Sequence, residues 1–146
     1  MKHLLYIFLF FVVLLSSCDT TSSENGELDN MWYLVKIDSL SNGKTVDYRH
    51  MRVFWSFQGT LMQTNCVDSM NQFYMYRFEK KDGQLIVNSP FKYDRVTDDH
   101  MITEETLDII RMYGVNSLTD TFQIEGISNC KMTLRDSRLR LSFERY

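Results

Sequence analysis

Few residues in this 146-residue chain combine types and spacing that could do chemistry. Two histidines lie beyond the N-terminal apolar run, and both have carboxylates nearby. Asp47 precedes His50, and Asp98 and Asp99 directly precede His100. Imidazole and carboxylate together suit a divalent metal, but a stable site needs three or four converging ligands, and no third ligand has the spacing. Both histidines are therefore expected on exposed loops, with no metal bound. Glu104 and Glu105 are adjacent, so on a helix they diverge by about 100° and cannot act as a paired acid and base. They fit better as favourable charges in a helix's first turn. Neither Gly-x-Ser-x-Gly nor His-Glu-x-x-His occurs, and Gly-rich phosphate loops are absent. No constellation supplies a nucleophile with a base, so neither an enzyme nor a cofactor is expected.

Cys18 is the stronger signal. Lys2 and His3 precede an unbroken apolar run from Leu4 to Leu15, followed by Ser16, Ser17 and Cys18. That run reaches only about 18 Å as a helix, short of the ~30 Å hydrocarbon core, so residues 1–17 read as a signal peptide and not as a span. Leu15-Ser16-Ser17-Cys18 resembles the bacterial lipobox, whose small residues let the peptidase approach an already acylated Cys. Cys18 is thus the expected lipid attachment site, and a membrane the expected partner through that lipid. The competing reading is an ordinary secretory peptide with an incidental Cys. Residues 18–30 lack aromatics and periodicity, the composition of a flexible tether. The net charge of −3 becomes −4 once Lys2 is removed, and this acidic balance excludes a nucleic-acid partner. An aromatic content of 14% excludes a disordered chain.

After Met31, short apolar segments alternate with turn residues at regular spacing, the pattern of an antiparallel sandwich or barrel. Strands are expected over 31–38, 51–57, 60–66, 73–81, 84–88, 121–126, 130–135 and 138–145. One helix is expected from about Glu104 to Tyr113. Thr103 caps it, Leu107, Ile110 and Tyr113 share a face, and Gly114 ends it. Turn arithmetic gives each strand an inside and an outside. Asp82-Gly83 sets Phe78 opposite Val87 and Lys80 opposite Leu85. Asp136-Ser137 sets Leu134 opposite Leu139 and Met132 opposite Leu141. Gln58-Gly59 sets Trp55 opposite Met62 and Phe57 opposite Thr60. Phe122 and Ile124 join the Met132 and Leu134 face only through an odd loop, expected as Ile127-Ser128-Asn129, with or without a bulge.

Eight such strands close into an up-and-down barrel, which removes the exposed edges of a flat sheet. An even pair of cysteines in an oxidising compartment invites a disulfide, but the meander places Cys66 and Cys130 at opposite barrel ends, beyond the ~7 Å Cα limit. Two buried, unbridged thiols are therefore expected. Asn30-Met31-Trp32 opens the first strand, and Phe143-Glu144-Arg145-Tyr146 closes the last. This resembles the lipocalins, whose first strand begins Gly-x-Trp and whose closed barrel end is sealed by that Trp under an Arg from the last strand. Asn30 stands where the family has Gly. The resemblance implies an all-β, eight-stranded lipocalin-like barrel over 31–146, sealed by Trp32 stacked on Arg145, with one helix between the fifth and sixth strands.

A closer likeness is to small lipocalin-like lipoproteins of Gram-negative envelopes. It is carried by Tyr113-Gly114-Val115-Asn116, Phe122-x-Ile124, Lys131-Met132-Thr133-Leu134 and Leu139-x-Leu141-x-Phe143. It implies a cell-envelope location, with the outer membrane expected. Asp19 beside the lipidated Cys directs retention at the inner membrane in some of these bacteria, a rule that is not universal. The inward set Val53, Trp55, Met62, Thr64, Tyr74, Tyr76, Val87 and Phe122 is expected toward the end away from Trp32, where a lipocalin is open. Its tyrosines and Trp offer apolar area with polar tips, suited to a small apolar or amphipathic ligand. They equally suit a filled barrel, an interaction protein or hydrolase inhibitor working through its loops and helix.

Overall fold

A computed structural model describes residues 24–68 and 72–146. The signal peptide and residues 18–23 of the expected tether, Cys18 among them, lie outside the described residues. Short strands form where the sequence alternates. They are β1 (Met31–Ser39), β2 (Thr45–Asp47), β3 (Val53–Gln58), β4 (Leu61–Cys66), β5 (Phe73–Lys81), β6 (Gln84–Tyr93), β7 (His100–Met101), β8 (Thr119–Ile127), β9 (Lys131–Arg135) and β10 (Leu139–Arg145). Eight of them run antiparallel in the order β1, β3, β4, β5, β6, β8, β9, β10, and β10 pairs back onto β1 to close the barrel. β2 flanks β1 and β7 flanks β6. Closure satisfies the strand edges that a flat sheet would leave open.

The strand expectations hold in order and face, and the turns correct their register. Phe78 lies opposite Val87 and Lys80 opposite Leu85, as the Asp82-Gly83 turn requires. The other two hairpins are each displaced by two residues. Gly59-Thr60 is the β3–β4 turn, with Gly59 at φ +58°, so Trp55 faces Thr64 and Phe57 faces Met62. At the β9–β10 turn the Asp136 carboxylate accepts hydrogen bonds from the Arg138 and Leu139 N–H at 2.6 and 2.5 Å, which lengthens the loop. Leu134 then faces Leu141, and Met132 faces Phe143. A shift of two keeps every side chain on its expected face, because strand side chains alternate with period two.

The odd count between β8 and β9 comes from a register shift between Ile124 and Gly126 and not from a three-residue loop. Ile124 thereby reaches Leu134 while Ser128 N–H closes on Lys131 O at 2.8 Å. β6 runs five residues beyond its expected end. It passes an irregularity beside Ser89, which has φ +51°, and Pro90, whose missing N–H is tolerated at a bulge.

The barrel's closed end departs from the expected seal. Trp32 and Arg145 are cross-strand partners, but they do not stack. The Arg145 guanidinium donates instead to Asn129 O at 3.3 Å, and the residue is exposed. Trp32 is sealed by Leu28, which lies in a 3₁₀ turn over Gly26–Leu28. The indole N–H donates to Leu28 O at 3.0 Å, and both side chains have no exposed surface. Asn25 Nδ2 donates to Gly59 O at 2.8 Å, and Phe57 N–H donates to Asn30 O at 3.1 Å. Residues 24–30 are therefore part of the fold and not tether. The flexible-linker composition misled because a single buried Leu fixes the segment.

Leu28→Ala should lower unfolding free energy in urea by about 2–5 kcal/mol, the usual cost of emptying a buried Leu site. A free tether would leave the midpoint unchanged.

Candidate functional site

All eight residues of the expected ligand set point inward and meet in one core. Val53, Trp55, Met62, Thr64, Tyr76 and Phe122 have no exposed surface, and Tyr74 and Val87 have 1% each. They are not confined to the far end, because Trp55 on β3 is the cross-strand partner of Trp32 on β1. Trp55 packs against Phe122 and Phe143 with ring centroids 5.7 and 5.1 Å apart.

The space above Trp55 is occupied by the β7–β8 connection. Helix α1 (Asp108–Arg111) is only four residues long, and residues 104–107 are turns, so the longer helix expected from Glu104 to Tyr113 is corrected. Thr103 makes no side-chain cap. Its N–H instead donates to Thr106 Oγ1 at 2.9 Å, a local turn that competes with helix there. The apolar face is nevertheless buried as expected: Leu107, Ile110 and Tyr113 are 5%, 0% and 2% exposed. Tyr113 packs on Tyr74 at 5.3 Å, and its carbonyl accepts the Trp55 indole N–H at 2.8 Å. Gly114 follows at φ +90°, and a Cβ there would stand 3.0 Å from Leu141 Cδ1. Only glycine combines that backbone angle with that approach. The connection is a plug that enters the barrel.

Each polar tip that was expected to orient a ligand has a partner within the protein. Thr64 Oγ1 and Tyr76 OH lie 3.1 Å apart, and Tyr74 OH donates to Gln72 Oε1 at 2.8 Å. Burial pushes the pKa of both phenols up, that of Tyr76 the more strongly, so they stay neutral hydrogen-bonding groups. A void wide enough for water would expose the atoms around it as bulk solvent does, and these side chains expose almost nothing. The described barrel is filled.

The plug is fastened at its far end by Asp120, which sequence reasoning passed over. Its carboxylate accepts the Asn116 N–H at 2.7 Å, and Asn116 Nδ2 reaches Asp136 at 3.3 Å. Burial pushes the Asp120 pKa above the usual carboxylate value, and the nearby Asp136 carboxylate adds to the rise. Leu28 and the Tyr113 carbonyl were also missed. The sole sequence signal for the latter was Gly114 directly after an aromatic.

The remaining chemical candidates are scattered. His50 and His100 are exposed on a 3₁₀ turn and on β7, and no cluster of three metal-ligating side chains occurs among the described residues. Cys66 and Cys130 are not joined. Cys66 is buried with its thiol donating to Met51 O at 2.9 Å, but Cys130 is exposed in the β8–β9 turn, a correction to the expected burial. Among the described residues, hollows of about 790, 510 and 390 Å³ open on the outside of the wall.

Residues 13–146 match the family described as the lipocalin-like domain. The chain belongs to this family. Its barrel is the architecture of ligand-binding proteins, and the family is generally non-enzymatic. A lipocalin-like protein from Bacteroides uniformis is 17% identical with TM-score 0.59, over 83% of this chain and 100% of that one. An uncharacterised protein from Bacteroides eggerthii is 15% identical with TM-score 0.58, over 82% and 99%. A protein from Burkholderia xenovorans is 16% identical with TM-score 0.53, over 81% and 82%. At such identities the likeness concerns the fold alone. No curated protein matches the sequence.

Gly114→Ala should cost about 1–3 kcal/mol through strain and overpacking against Leu141. Denaturant unfolding followed by Trp fluorescence measures it. Exposed Gly43, with nothing within 4 Å of its Cβ position, is the control for backbone angle alone.

Proposed function

We propose that this chain is a lipid-anchored, non-enzymatic protein of the cell envelope, held by acyl chains on Cys18, whose filled barrel binds partners on its outer surface and loops. The observation that carries the outside part is the Trp55 indole hydrogen-bonded to the Tyr113 carbonyl, with every inward polar tip already satisfied. A guest molecule would have to replace those contacts. The lipid anchor is supported by the lipobox spacing and by residues 24–30 fastening the chain just beyond it.

A second reading, a small apolar or amphipathic ligand held inside, is favoured by the plug's construction. Only four of its residues are helical, and a few side chains fix it. Such a ligand could enter only after the plug has left.

Two measurements test these readings. Cys18→Ala should move the protein from the membrane fraction to the soluble one, and a variant that still pellets with membranes sinks the lipid anchor. Leu107→Asp places a charge at a buried plug position, so it should lower the thermal midpoint and raise binding of a fluorescent fatty acid. Tight probe binding by the unaltered protein would instead favour the interior ligand.

A further inference from the structure

The barrel's outer wall is unevenly charged. Across β8, β9, β10 and the later part of β1 it is charged, with Glu125 bridged to Arg140 at 2.7 Å and to Arg135 at 3.6 Å, and Lys36 bridged to Asp38 at 3.0 Å. Across the start of β1 and β3 to β6 two adjacent cross-strand rows of outward residues lie toward one end of the wall, and beyond them Arg77 and Glu79 of β5 are exposed again. One row is Met31, Ser56, Gln63, Met75 and Phe91, continuing to Met101 on β7. The other is Tyr33, Phe54, Asn65, Phe73 and Tyr93. Neither row holds a charge, although 24% of the chain is charged. Met31, Tyr93 and Met101 are 43%, 40% and 60% exposed, and the outer hollows described above open along this band. Ser56 Oγ, the second residue of the first row, is buried with no hydrogen-bond partner.

We propose that this uncharged band rests on the lipid surface that holds the Cys18 anchor, a proposal that depends on the lipid reading above. Where the chain leaves the fold argues for lipid. Asp29, Asn30 and Met31 line the hollow that begins the band, and Asn25 is tied to the β3–β4 turn beside it. Only Cys18 to Ser23 separate the acyl chains from the described fold, a reach of about 20 Å fully extended. The area argues against a stable second copy. Five strands at ~4.8 Å spacing and two rows give a band of a few hundred Å², short of the ~800 Å² per partner of a standard interface. A covalent anchor supplies high effective concentration, so a patch this small suffices at a membrane. Tyr33, Tyr93 and Tyr146 bring the amphipathic rings that suit a headgroup region. Arg52, bridged to Asp68 at 3.4 Å, and Arg95, next to Asp94, stand at the edge of the hollows, where lipid phosphates would meet them.

The test uses the full chain, processed in a Gram-negative host, in vesicles of phosphatidylethanolamine and phosphatidylglycerol. An environment-sensitive fluorophore is placed at Met75→Cys or Met31→Cys on the uncharged band, or at Thr121→Cys on the opposite wall, each with Cys130→Ser. The band positions should emit to the blue of position 121, and nitroxide-labelled lipids should quench them several-fold more. Equal, solvent-like emission at all three positions, in protein that floats with vesicles and carries an acylated N-terminal peptide, overturns the docking and leaves the anchor standing. Absence of both flotation and acyl mass overturns both. A blue shift that grows with protein concentration and is not quenched by lipid nitroxides assigns the band to a second copy and also overturns the proposal.

Discussion

Closing eight strands through the β1–β10 pairing fixes the volume of the interior, and most other features of this molecule answer to that closure. An interior of this size must hold side chains or something else. Here the chain supplies both wall and filling, through the hydrogen bond from the Trp55 indole to the Tyr113 carbonyl. A Trp buried from the wall alone would leave its N–H without a partner, at a cost of about 1–3 kcal/mol. The plug's backbone satisfies it, and Gly114 lets that backbone lie against Leu141. The other end is closed by the same device, with the Trp32 indole donating to a backbone carbonyl at Leu28.

That solution moves function outward. The tyrosines and Thr64 that would orient a guest are spent on one another and on Gln72, and burial keeps the phenols neutral. Glu125 holds two arginines on one side of the outer wall, while two adjacent rows on the other side carry no charge and border a hollow. The fold accommodates this division because side chains facing outward are free of the packing that fixes those facing inward.

Much of the barrel was legible in the sequence. Strand order and inward parity follow from alternation with period two, and parity survived two hairpin shifts because each was even. The register itself was not legible. It depends on whether Asp136 takes backbone hydrogen bonds and on which loop position Gly59 occupies, which side-chain pattern does not encode. The burial of Leu107, Ile110 and Tyr113 was readable as a stripe, but the length of α1 was not, since Thr103 and Thr106 form a local turn there. Stacking of Arg145 on Trp32 failed for a related reason. Residues 24–30 have the composition of a linker, and one buried Leu made them the seal.

The central claim is that the Tyr113–Val115 plug is a fixed part of the core. Native-state amide hydrogen exchange addresses it directly, comparing the N–H of Tyr113 and Gly114, which bond to Ile110 O and Arg111 O, with strand amides around Trp55 and Leu141. The account predicts exchange as slow in the plug as in those strands, through the same global opening. Plug amides that exchange rapidly while the strands stay protected would contradict it and show a barrel whose mouth opens.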